Sequence, residues 1–366
     1  MSSYVSRFCL GTEGGVTVAI KDTIDIKGLP TRAGSKALEE AAPAADHAEV
    51  VQNLLDAGAE ITGKTTLHEL AFGVSGINDH AGTAVNAKFP DLIPGGSSSG
   101  SAAAVAEGSA RIALGTDTGG SVRIPAACCG VYGLKPTFGR VSRKGVMPDA
   151  TSLDCVGPFA NSIEDLEWAM SAIDPTFTPE RVESARIGYL PGQATPEIDA
   201  MVRAALEHEG TRVEEVTLPS FLAAFEAGVA IINAENWAAL GSIQATGKVS
   251  PDVGDRIYAA RLVTPEEVAT SEEIRSRITA EIDALFTKVD VIALPTLSQA
   301  PPTLTRARTD PTAVAVTRNV RAFNLSGHPA LAMPLGALND APVSLQLVGP
   351  KQRDALLCAV AGLLTL

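Results

Sequence analysis

The chain has 366 residues, 45% hydrophobic and 19% charged, with a mean hydropathy of +0.16; this balance describes a well-buried globular chain and excludes a disordered one. A formal net charge of −13 and a pI near 4.9 argue against nonspecific binding to nucleic acid or to an anionic membrane surface. No apolar run approaches the ~20 residues of a membrane span, and Met1 to Gly15 lacks the charged and apolar regions of a signal peptide, so the expectation is a soluble, cytoplasmic protein.

Val16–Ile20 reads as a short buried strand ending at Lys21-Asp22. Asp46 is the expected cap of a helix whose apolar positions Val50, Val51, Leu54 and Leu55 follow a 3.6-residue period, with Gly58 ending it. Ala59–Thr62 is a second strand. Residues 86–101, rich in Pro, Gly and Ser, form a loop leading into a helix of small residues, Ala102–Ser109. Arg111–Leu114 is a further strand. Ser162, followed by Asp165, starts a helix with a capping-box pattern.

Beyond residue 175 the Ser/Gly density falls. Ala185–Leu190 reads as a strand, Pro196–His208 as an amphipathic helix, Val213–Leu218 as a strand, and Phe221 to Phe286 as mostly helical. Val289–Leu294 is a strong β run closed by Pro295. The end of the chain returns to turn, strand, turn, strand and helix over Asn324–Leu335, Val343–Val348 and Asp354–Leu364. Strands alternating with helices predict an α/β fold with a mixed, mostly parallel sheet covered by helices on both faces. The length allows one large domain or one domain with an embedded lobe.

Cys9, Cys128, Cys129, Cys155 and Cys358 form no CxxC pair and no metal-ligand spacing, and they read as small buried residues.

Two loops share an unusual grammar. In Ala113–Pro125 a hydroxyl, Ser121, follows the pair Gly119-Gly120 directly after an apolar strand. Glycines there free the backbone for close approach to a ligand, and converging N–H groups suit a developing oxyanion. Ser121 is therefore a candidate acyl-transfer nucleophile. Pro94-Gly95-Gly96-Ser97-Ser98-Ser99-Gly100-Ser101 repeats the pattern before a helix of small residues; its bland reading is a flexible Ser/Gly loop. Lys21, at a strand end, is either a surface lysine or a buried amine whose lowered pKa lets it act as a base. The histidines (His47, His68, His80, His208 and His328) are scattered, and His328 alone lies in a loop that borders a candidate site.

These residues resemble the amidase signature family. Gly95–Ser101 through Gly119-Gly120-Ser121 to Gly133-Leu134-Lys135-Pro136-Thr137 is similar to its defining signature. Val18–Asp22 resembles its lysine segment; Ser152-Leu153-Asp154 with Gly157-Pro158, Asn324–Ala330 and Pro342–Gly349 resemble further blocks. The resemblance implies one domain over 1–366, with a signature core at about 15–160, a variable helical region at about 175–290 that shapes the substrate pocket, and 291–366 completing the core. It implies a Ser-cisSer-Lys triad: Ser121 as nucleophile, Ser97 as bridging serine after a cis peptide, and Lys21 as base. The N–H groups of Thr118, Gly119, Gly120 and Ser121 would form the oxyanion hole, with Ser98, Asp117 and Arg123 bracing the site from behind. No metal and no organic cofactor is implied.

Members usually carry several dozen helical residues before the lysine strand, whereas Lys21 lies almost at the start of this chain; a changed pocket wall or dimer interface is the expectation. The expected activity is hydrolysis of a carboxamide to a carboxylic acid and ammonia or an amine through a seryl acyl-enzyme. The expected partner is a small-molecule amide, small and polar or aliphatic given only 10 Phe, 4 Tyr and 2 Trp; a homodimer is the assembly allowed for, with neither nucleic acid nor membrane bound. One alternative is a glutaminase-type subunit of a tRNA-dependent amidotransferase. Another is an α/β-hydrolase esterase, since Gly96-Ser97-Ser98-Ser99-Gly100 fits G-x-S-x-G with His328 downstream, although Pro94 and Gly95 stand where that elbow needs a strand. A catalytically dead binding module fits poorly with three intact triad positions.

Overall fold

The computed structural model describes residues 3–310, 312, 314 and 316–365. Its strands are Tyr4–Gly11 (β1), Val16–Lys21 (β2), Ala59–Thr65 (β3), Ile112–Asp117 (β4), Tyr132–Lys135 (β5), Cys155–Ala160 (β6), Ala185–Tyr189 (β7), Thr211–Glu215 (β8), Val291–Pro295 (β9), Ala330–Leu338 (β10) and Ala341–Val348 (β11). They form a single sheet in the order β1-β3-β2-β4-β6-β5-β10-β11-β9-β7-β8. The helices are Glu49–Asp56 (α1), Ser99–Ala106 (α2), Arg123–Cys129 (α3), Ile163–Ile173 (α4), Pro196–Ala205 (α5), Phe221–Gln244 (α6), Pro251–Ala260 (α7), Pro265–Leu285 (α8), Leu304–Thr309 (α9), Arg321–Leu325 (α10) and Asp354–Leu363 (α11).

The sheet is mixed and flanked by helices, but it is not mostly parallel. Six of its ten neighbouring pairs are antiparallel and four are parallel. The parallel pairs lie in two groups, β3-β2-β4 and β9-β7-β8, which are the β-α-β alternations legible in the sequence. The antiparallel centre comes from β5 and β6, which local pattern did not reveal, and from the β10–β11 hairpin. Pro158 masks β6, since proline is rare inside sheets. The β5 ladder reaches only Phe159 and Ala160, however, so Pro158 breaks no bond on that side. The hairpin turns on Asn339 and Asp340, both at positive φ (49° and 61°), the backbone a two-residue type I′ turn requires. β1, also unpredicted, adds antiparallel to β3 at the sheet edge.

Alternation along β2 and β4 decides where the site is built. Val18, Ile20, Ile112 and Leu114 face one hydrophobic cluster with α1, α4 and α11. Ala19 and Ala113 face the opposite one, with α2 and α3, as a period-2 strand dictates. Small side chains on that second face let α2 approach the sheet closely. At Gly100 a Cβ would lie 2.4 Å from Ser3 O and 2.6 Å from Thr66 O, so glycine is needed there. The helix starts at Ser99, three residues earlier than expected, and carries the Ser97 loop onto the C-terminal ends of β2 and β4.

Two smaller expectations change. Asp46 does not cap α1: the cap position is Ala48, without a side-chain bond, and Asp46 lies exposed 4.0 Å from Lys27. Ser162 does cap α4, accepting from the Asp165 N–H. All five cysteines are free, four of them buried and Cys9 exposed; β1 places Cys9 at the sheet edge. No described helix is long and apolar enough to cross a membrane.

Candidate active site

Parallel pairing of β2 with β4 places Ile20 beside Leu114, so the next residue, Lys21, projects beside Thr116 at the strand ends. Lys21 is fully buried. Its Nζ donates to Thr116 Oγ1 at 2.7 Å and to Ser97 Oγ at 2.8 Å. Burial lowers its pKa from 10.5 to about 7, although Asp154 and Asp117 pull the other way; the neutral amine is therefore accessible near pH 7. The adjacent Asp22 pairs with buried Lys64 at 2.8 Å, which ties the end of β2 to β3.

Ser97 follows the cis peptide Gly96-Ser97. Its carbonyl accepts from the N–H groups of His68 (3.0 Å) and Ser99 (2.9 Å). Ser98 links this loop to the other one: its N–H donates to Ser121 O at 3.3 Å, and its Oγ bridges the Thr116 backbone, donating to O and accepting from N–H at 3.3 Å each. Lys21, Ser97 and Ser121, distant in sequence, are all buried; Ser97 is bonded to Lys21, and the Ser121 carbonyl to the N–H of the neighbouring Ser98.

The Ser121 turn is held from beneath by a carboxylate. Asp117 accepts from the N–H groups of Gly120 (2.8 Å), Val122 (3.2 Å) and Arg123 (3.3 Å). It also accepts from Arg123 Nε at 3.0 Å and Nη2 at 2.9 Å. Burial alone would raise its pKa, but the Arg123 guanidinium and the Asn324 amide hold it well below the usual carboxylate range. Arg123 completes its set of donors with Val320 O (2.9 Å), Gln346 Oε1 (2.7 Å) and Asn324 Oδ1 (2.6 Å). The turn is thereby bolted to β11 and α10.

Of the four N–H groups expected in the oxyanion hole, that of Gly120 is committed to Asp117. Those of Thr118, Gly119 and Ser121 have no acceptor among the described residues. Gly120 is required for another reason: its φ is +112°, and a Cβ would lie 2.5 Å from Val320 Cγ2. At Gly119 a Cβ would lie 3.0 Å from Ile232 Cδ1 of α6, so helix α6 closes over the turn. Thr118 Oγ1 donates to buried Asp154 at 2.8 Å, and Arg143 Nε donates to the same carboxylate at 3.0 Å.

His328 does not join this cluster. It is buried between Asp283 (2.9 Å), Ser326 Oγ (2.9 Å) and the Phe286 ring, and burial lowers its pKa to about 4. Thr116, Asp154, Asn324 and Gln346 are the site residues that sequence reasoning did not assign. Their one signal was position, since Asn324 and Gln346 fall in the C-terminal blocks and Thr116 directly precedes Asp117. Two cavities, of about 630 Å³ beside Met147–Ser152 and Glu235 and about 450 Å³ beside His68, Ser250 and Arg256, are lined by none of Lys21, Ser97 and Ser121. No group of three or more His, Cys, Asp or Glu residues suited to a metal ion occurs among the described residues.

An eleven-stranded mixed sheet carrying a buried lysine and two glycine- and serine-rich loops at the ends of β2 and β4 defines a class of amide-cleaving enzymes. Residues 13–358 match the model of the Amidase family, and the chain belongs to that family, whose members hydrolyse C–N amide bonds. It is 36% identical to 2-amino-5-chloromuconic acid deaminase of Comamonas testosteroni over 96% of this chain and 81% of that protein. It is 37% identical to the A subunit of the glutamyl-tRNA(Gln) amidotransferase of Thermus thermophilus, over 95% of this chain and 83% of that one. A crystal structure of an amidase superimposes with a TM-score of 0.87 at 31% identity, covering 96% of this chain and 84% of the other.

Proposed function

We propose that the chain is a stand-alone amidase that converts a carboxamide to a carboxylic acid and ammonia or an amine through an acyl-enzyme on Ser121. The observation that carries this reading is the 2.8 Å contact of Ser97 Oγ with a buried lysine whose pKa lies at about 7. A serine hydroxyl cannot attack an amide while keeping its proton. In the proposed relay Ser97 accepts the Ser121 proton as it passes its own to neutral Lys21. The tetrahedral oxyanion is held by the N–H groups of Thr118, Gly119 and Ser121. Collapse breaks the C–N bond, and the proton stored on Lys21 returns through Ser97 to the departing nitrogen. Water then attacks the ester along the same path and releases the acid. Asp117 and Arg123 hold the turn in position and exchange no proton.

An ammonia-release screen over a carboxamide panel tests this, with Ser121→Ala as control. Release that persists in the variant contradicts the mechanism.

The similarity to the amidotransferase chain supports a second reading, in which the same site frees ammonia from glutamine for a partner protein. Glutaminase activity appearing only with a co-purified partner distinguishes it from the stand-alone enzyme.

A further inference from the structure

Two arginines lie against the Ser121 turn, and they are treated differently. Arg123 has every N–H donor satisfied inside the protein. Arg321, the first residue of α10, has an Nε that is buried with no hydrogen-bond partner, and no described carboxylate forms an ion pair with it. Its stem packs on α6, where a Cβ on Gly228 would lie 3.6 Å from Arg321 Cβ, and its guanidinium carbon is 4.9 Å from the centroid of the Phe225 ring. On the opposite side a Cβ on Gly119 would lie 3.4 Å from Arg321 Nε. The guanidinium is therefore wedged between helix α6 and the turn whose N–H groups are open.

Burial alone lowers the Arg321 pKa, to about 10, so the side chain remains a cation at neutral pH. The residue keeps partial solvent exposure, so the side chain is not sealed from solvent. A buried donor without a partner is costly, more so on a charged group, and a guanidinium fork matches a carboxylate in two parallel bonds. The open fork, its rigid aromatic backing and its placement beside Gly119 are what a receptor for an anionic substrate group requires.

We propose that Arg321 binds a carboxylate on the substrate, so that the amides cleaved are short molecules bearing a carboxylate besides the scissile carboxamide. This rests on the amide hydrolysis proposed above and names its substrate class. Arg321 acts on specificity; the oxyanion is left to the N–H groups of the turn.

The test compares succinamate and glutaramate with the uncharged amides butyramide and valeramide. The wild-type protein is expected to prefer at least one carboxylate-bearing amide by tenfold or more in kcat/KM. In Arg321→Gln the charged-to-neutral ratio falls about 10- to 100-fold, the range for losing a hydrogen bond to a charged group, mainly through KM. Arg321→Lys recovers part of it. Thermal unfolding verifies that both variants are folded. An unchanged ratio, or an equal loss on charged and neutral amides, overturns the proposal. Calorimetric titration of Ser121→Ala with succinamate and glutaramate, with and without Arg321→Gln, reads recognition apart from turnover. Weakening by tenfold or more supports the role of Arg321, and equal binding overturns it. Wild-type protein that cleaves none of the four amides, yet binds a charged one through Arg321, counts against the hydrolytic reading instead.

Discussion

Arg123 and Asp117 form a fully buried, two-point ion pair, at 2.9 and 3.0 Å, directly beneath the turn that carries Ser121. The same guanidinium reaches Val320, Asn324 and Gln346, nearly two hundred or more residues away along the chain. The pair therefore fixes the geometry of the turn and couples it to the C-terminal third of the sheet.

Breaking one partner of such a pair leaves an uncompensated buried charge, at a cost of about 3–5 kcal/mol. Arg123→Met is expected to lose stability on that scale in urea or thermal unfolding. Activity should fall with it, because Asp117 then loses the cation that keeps it ionised and aimed at the Gly120 N–H.

In the proposed relay Lys21 sets the acid limb of the pH profile. If the neutral amine is the base, kcat/KM rises with pH through about 7, the pKa that burial imposes. Lys21→Met should abolish turnover at every pH, whereas an enzyme using a histidine base would retain it. The same shift predicts stability with a definite sign. Between pH 7 and 10.5 the unfolded chain holds a proton that the folded chain has shed, so wild-type stability rises with pH across that window. Lys21→Met lacks this dependence. Its advantage in thermal midpoint should be greatest below pH 7 and shrink toward pH 10.

Asp154 tunes that limb. Its carboxylate favours protonated Lys21, so Asp154→Asn should move the acid limb below the wild-type position. A limb unmoved in a folded variant would show that the ionisation followed is not that of Lys21.

Gly120→Ala places a Cβ 2.5 Å from Val320 at a φ of +112°. The expected result is destabilisation of about 1–3 kcal/mol from backbone strain alone and loss of turnover, measured by denaturant titration and ammonia release. Gly14, also at positive φ but with open space around it, provides the comparison: Gly14→Ala carries the strain without the clash, and its turnover should persist.

His328→Gln separates the triad from the G-x-S-x-G alternative. With His328 held by Asp283 and Ser326, the substitution should lower stability and leave ammonia release intact. A loss of about 10³-fold or more in a folded variant, the scale of a missing general base, would favour the histidine-dependent reading.

The residues that surround the site were legible in sequence where the chemistry is local. A Gly-Gly-Ser turn after a strand, a second such loop before a helix of small residues, and a lysine ending an apolar strand are patterns confined to a few positions each. The partners were not. Thr116 matters because parallel pairing sets it beside Lys21, and Asn324 and Gln346 matter because the fold returns them to Arg123. Such contacts leave no periodic trace. The sheet shows the same limit: the outer parallel units follow from alternating strands and helices, whereas β5 and β6 are short or interrupted by proline. Arg321 carries no local signal, because Gly119 and Phe225, which lie on either side of it, are brought there by the fold.

Peptide mapping after labelling with a fluorophosphonate tests the central claim most directly, because the stable adduct marks the nucleophile itself. The account predicts one adduct, on the peptide carrying Ser121, formed faster as pH rises through about 7 and absent from Ser121→Ala and Lys21→Met. An adduct on Ser97, or labelling that survives Lys21→Met at an undiminished rate, would contradict it.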